Sequence, residues 1–60
     1  MKYRTKEQIE RALDKLVKKH GEDAVDEAIG YGGLRDILEY GDSGMFFGIE
    51  MSYQIAVGNI

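Results

Sequence analysis

Few residues in this chain carry reactive side chains, and they bound its chemistry. There is no cysteine and one histidine, His20. The hydroxyl nucleophiles are Thr5, Ser43 and Ser52. A serine triad would need His20 as base beside one of them, with a carboxylate behind it. His20 falls instead at the predicted C-terminal end of the first helix, where an imidazole complements the helix dipole. Carboxylates are plentiful in Glu22/Asp23, Asp26/Glu27 and Asp36/Glu39. General acid–base catalysis needs one of them raised by an apolar pocket. Only Glu50, inside an apolar stretch, is placed for that, and a paired or solvated glutamate at the edge of that stretch is the better expectation. We therefore expect no enzyme, no catalytic residue and no cofactor.

Metal and phosphate motifs are weak too. A lone histidine without thiolates cannot build a zinc site. Asp42-Ser43-Gly44 lacks the rest of a calcium loop. Gly30-Tyr31-Gly32-Gly33 lacks the Lys-Ser/Thr ending of a phosphate loop. No metal ligand is expected.

The charge pattern says more. A net charge of −3 over 60 residues conceals two halves of opposite sign. Residues 1–20 carry seven Lys/Arg and three Asp/Glu, whereas residues 22–60 carry Arg35 alone against eight acids. The halves can attract one another within the fold or across a dimer, or they can mark a partner's charge. Acids at Glu22, Asp23, Asp26, Glu27, Asp36, Glu39 and Asp42 can spread over one face. Tyr31 and Tyr40 stand at element ends, where tyrosines serve as interface anchors. These nine residues form the expected partner-binding surface.

Those side chains must be held by short elements. Ile9, Ala12, Leu13, Leu16, Val17 and His20 recur at helical spacing and predict a helix over 5–20. Thr5 and Gln8 form a capping box at its start, and Gly21 ends it. A second helix is predicted over 22–29, with Val25, Ala28 and Ile29 inside, stopped by Gly30 ahead of a Tyr31-Gly32-Gly33 turn. A third covers 34–40, with Leu34, Ile37 and Leu38 inside. Gly41-Asp42-Ser43-Gly44 is the strongest loop signal, and Asp42 or Ser43 is a candidate cap for the C-terminal element.

Residues 45–57 fit two periods. Met45, Phe46, Ile49, Tyr53, Ala56, Val57 and Ile60 make a helical stripe. Alternation instead places Met45, Phe47, Ile49, Met51, Tyr53, Ile55 and Val57 on one face of a strand. Length favours the helix, and a lone strand has no pairing partner inside the chain. The expected fold is thus all-α: a single domain over 1–60 with one long helix, two short helices and a C-terminal apolar helix, dimeric in assembly. The alternative is α+β, with 45–57 as a strand pairing across a dimer. Phe46, Phe47, Ile49, Met51 and Tyr53 are the expected oligomer interface in either case.

The segment is too short and too often interrupted to span a bilayer. The basic start has no apolar run behind it, as a signal peptide requires. The expected compartment is the cytoplasm, or the host cytoplasm for a phage-encoded chain. The leading functional expectation is a small acidic interaction module, such as a mobile-element inhibitor seated on the basic nucleic-acid-binding surface of a defence enzyme. The alternative is a small DNA-binding regulator using Arg11, Lys15, Lys18 and Lys19. The acidic second helix argues against docking in a major groove.

Overall fold

Three of the four helices end at a glycine, and in two places a single glycine separates one helix from the next. The computed structural model describes all 60 residues. Helix α1 runs Lys6–His20, α2 Glu22–Gly32, α3 Leu34–Tyr40 and α4 Ile49–Ala56. The start of α1 is the capping box: Thr5 Oγ1 accepts from the Gln8 N–H at 3.2 Å, and Gln8 Oε1 accepts from the Thr5 N–H at 2.8 Å. Gly21, at φ 94°, ends α1 by donating its N–H to Val17 and leads directly into α2. Gly33 does the same between α2 and α3, in the left-handed conformation at φ 67°, with its N–H on Ala28. Only a residue without Cβ adopts such angles cheaply, so each glycine turns the chain within one residue.

The interior is built from the predicted inner positions. Ile9, Ala12, Leu13 and Leu16 of α1 meet Val25 and Ala28 of α2, Leu34 and Leu38 of α3, and Tyr53 of α4. Val17, Ile29, Ile49 and Ala56 pack around this cluster. A chain this short buries only about 60% of its unfolded surface, so each of these contacts weighs heavily.

Two boundaries differ from the sequence expectation. The second helix does not stop at Gly30 but continues through Tyr31 to Gly32. Gly30 and Gly32 keep ordinary helical φ, and Gly33 alone takes the left-handed turn. Gly32 has a packing reason to be glycine: a Cβ there would fall on the Ala56 carbonyl, 2.6 Å from its carbon and 2.9 Å from the Ala56 Cα. The backbones of α2 and α4 therefore touch.

The last helix begins at Ile49 rather than Met45. Asp42 and Met45 exchange two backbone hydrogen bonds, of 3.0 and 2.9 Å, around Ser43 and Gly44, both at positive φ. This tight turn with two left-handed central residues is typical of hairpins, and it leaves 45–48 outside the helix. Neither Asp42 nor Ser43 caps the helix; Gly48 does, by backbone alone. The long apolar stripe is thus cut in two. Ile49, Tyr53 and Ala56 pack inward, while Met45 and Phe46 lie on a surface loop. No helix is long and apolar enough to cross a membrane.

Candidate interaction surface

The N-terminal strap fixes the 41–48 loop, and it does so through Arg4. One arm of its guanidinium, Nη1, donates to the Leu38 carbonyl and the other, Nη2, to the Phe47 carbonyl, each at 2.9 Å. The same group lies 4.6 Å from the centre of the Phe46 ring. Tyr3 joins it: its N–H donates to the Glu39 carbonyl at 2.6 Å and its hydroxyl to the Gly44 carbonyl at 2.9 Å. Desolvation lowers the Arg4 pKa from its ordinary value.

The reactive residues are each occupied structurally. His20 stacks on Tyr53 with ring centres 4.1 Å apart. Its Nε2 lies 2.9 and 3.0 Å from the two carboxylate oxygens of Glu50. Both partner atoms are acceptors, so Nε2 carries the proton in this contact. Gln54 donates to the same carboxylate at 2.6 Å, and Lys19 pairs with it at 3.2 Å. The hydrogen bond from His20, followed by that from Gln54, holds the Glu50 pKa down at about 2. Glu50 is therefore a clamped anion, a paired glutamate at the edge of its apolar segment. Ser52 is fully buried, and its hydroxyl donates to the Gly48 carbonyl at 2.7 Å. Thr5 caps α1, and Ser43 sits exposed in the turn. No three His, Asp or Glu side chains converge on a common point.

The two halves of opposite charge do meet inside the fold, but only in part. Lys2 pairs with Glu39 at 3.1 Å, Lys19 with Glu50, and Arg35 reaches back to Glu10 at 2.6 Å. The pairing with Arg35 depresses the Glu10 pKa, and that with Glu39 raises the Lys2 pKa. Six of the seven expected acids take no part. Glu22, Asp23, Asp26, Glu27, Asp36 and Asp42 are exposed and make no ion pair; Glu39 is the seventh and is engaged by Lys2.

Four of those free acids form one stripe. Positions 22, 23, 26, 27, 30 and 31 are the outward face of α2, and all six are exposed. From Glu22 to Tyr31 the stripe runs about 14 Å, at about 1.5 Å per residue. Tyr31 ends it with 92% of its surface exposed. Beside it, Glu27, Ala28, Tyr31, Ala56 and Val57 line a cleft of about 240 Å³. Asp36 and Asp42 belong to α3 and the following loop, and Tyr40 is half-exposed at the end of α3.

The five residues expected at an oligomer interface do not share one surface. Tyr53 is only 7% exposed and belongs to the core of its own chain. Ile49 packs against that core, and Phe47 is half-buried. Phe46 is exposed but lies against Tyr3 and Arg4, and Met51 is exposed on α4. The helical phase separates residues that the apolar run had grouped. Of the basic residues considered for DNA, Arg11 is tied to Glu7 and Lys19 to Glu50, leaving Lys15 and Lys18 without an ion pair. No protein family, curated protein or solved structure matches the chain.

Proposed function

We propose that the chain is a small acidic interaction module whose α2 face occupies a basic, nucleic-acid-binding surface of another protein. The observation that carries this reading is the unpaired stripe. Glu7, Glu10, Glu39 and Glu50 all find a cation within the chain, while the four acids of α2 find none. Placing Glu22, Asp23, Asp26 and Glu27 on one exposed face leaves four like charges to repel one another. A cationic partner relieves that repulsion and is steered toward it. Tyr31 and the adjoining cleft supply what charge alone lacks, an aromatic anchor beside an apolar recess. Carboxylates one helical turn apart, about 5.4 Å along the axis, also present a regular row of negative charge to a groove built for phosphates.

The test is competition. Immobilised protein is used to capture its partner from the native host, and duplex DNA is then added. Release of the partner by DNA supports a shared basic surface. A partner that stays bound at saturating DNA, or that has no affinity for nucleic acid, contradicts the proposal.

A further inference from the structure

A second cleft, of about 330 Å³, opens between the start of α1 and the 45–49 segment, and it shares no residue with the acidic stripe. Its lining divides by chemistry. Ala12 and Ile49 supply apolar surface. Tyr3 and Phe46 supply an aromatic wall, with ring centres 5.2 Å apart and planes tilted by 59°. Arg4, Arg11 and Lys15 bring three cations, and no carboxylate lines the cleft. Gln8 adds an amide whose oxygen is used by the α1 cap and whose NH₂ has no partner in the chain.

The cations are poorly neutralised. Arg4 is half-buried, donates to the Leu38 and Phe47 carbonyls and packs over the Phe46 ring, with no carboxylate partner. A guanidinium withdrawn from water without a counter-ion raises the local positive potential, and an incoming anion is bound more strongly there than on open surface. Lys15 has no ion pair, and Arg11 has only the exposed Glu7. The volume lies at the lower end of the range for small-ligand sites, about 300–1,000 Å³.

We propose that this cleft binds a ligand joining a phosphate to a flat ring, the chemistry of a nucleotide. The phosphate meets Arg4, Arg11 and Lys15 at the polar side, and the base lies against Tyr3 and Phe46. Either a free mononucleotide or one nucleotide of a single strand supplies this chemistry, since base stacking on aromatic side chains serves both.

The experiment is titration of ¹⁵N-labelled protein with AMP, adenosine, inorganic phosphate and a short single-stranded oligonucleotide. AMP is expected to give saturable shifts at the amides of Gln8, Arg11, Ala12 and Phe46. Adenosine and phosphate alone should bind at least about tenfold more weakly, because each lacks one half of the recognition. Lys15→Glu, at an exposed position, should weaken AMP about tenfold or more with an unchanged far-ultraviolet spectrum. Phe46→Leu should weaken AMP but not phosphate. An oligonucleotide that binds tighter than AMP and is weakened by both variants assigns the source to a strand. Comparable affinities assign it to a free nucleotide. Absence of saturable AMP shifts, or equal binding by wild type and Lys15→Glu, overturns the site. Phosphate binding as tightly as AMP overturns the role of the ring.

Discussion

Two glycines two residues apart in α2 should respond to the same substitution with opposite signs. Gly30 faces solvent with ordinary helical φ, and a Cβ there would meet nothing within 4 Å. Gly30→Ala removes the backbone entropy penalty of glycine and should stabilise by about 0.5–1 kcal/mol. Gly32→Ala gains part of the same propensity term. Its Cβ, however, would stand 2.6 Å from the Ala56 carbonyl carbon and closer still to the oxygen. Ordinary carbon contacts are about 3.5–4.0 Å, so α4 must retreat by about 1 Å. The obstacle is backbone, which cannot rotate away as a side chain can. Overpacking of this kind costs about 1–3 kcal/mol, and a backbone clash belongs at the upper end. With propensity subtracted, the net loss is about 2 kcal/mol. For a domain of this size that lowers Tm by on the order of 10 °C, while Gly30→Ala raises it by about 4 °C. Urea and thermal unfolding of the two variants beside wild type measure both. A Gly32→Ala protein as stable as Gly30→Ala would refute the close approach of α2 and α4, and with it the cleft beside Tyr31.

Arg4→Lys should destabilise by about 1–2 kcal/mol in urea melts, because a single ammonium cannot serve the Leu38 and Phe47 carbonyls together and the site is partly solvated. Ser52→Ala should cost no more than about 1 kcal/mol, since the Gly48 carbonyl keeps its bond from the Ser52 N–H; unfolding midpoints report the difference. Glu50 is depressed from 4.5 to about 2, so its stabilising contribution is complete above about pH 4.5 and is lost as pH falls through about 2. Glu50→Gln should therefore be less stable than wild type at neutral pH and converge with it toward pH 2, in urea midpoints compared across that range.

The sequence displayed the helices more clearly than their ends. Periodicity and the Thr5–Gln8 capping box placed α1, and Leu34, Ile37 and Leu38 placed α3. The end of α2 was not legible, because four residues with three glycines read equally well as a turn. The Ala56 carbonyl, 24 residues away, is what requires a glycine at position 32, and no local pattern shows that contact. The start of α4 was hidden for a related reason: an apolar run can continue a helix or fill a loop, and the Asp42–Met45 turn decides between them. Of the candidate surface, the exposed acids of α2 and Tyr31 could be read from spacing. The engagement of Glu39 by Lys2 could not, nor the roles of Arg4 and of the His20–Glu50 contact. Each joins residues at least 30 positions apart, beyond the reach of local pattern. The one signal for the last of these was Glu50 itself, a lone acid in an apolar segment and so in need of a partner.

The proposed contact between the unpaired acids of α2 and a basic partner is measured by the affinity of the isolated partner for wild type and for the triple variant Asp23→Lys, Asp26→Lys, Glu27→Lys. All three positions are exposed and make no ion pair, so the helical spectrum should be preserved. Replacing three attractions with three repulsions should weaken binding by about 30-fold or more, roughly 2 kcal/mol. A folded triple variant that binds with wild-type affinity would show that the acidic face of α2 is not the binding surface.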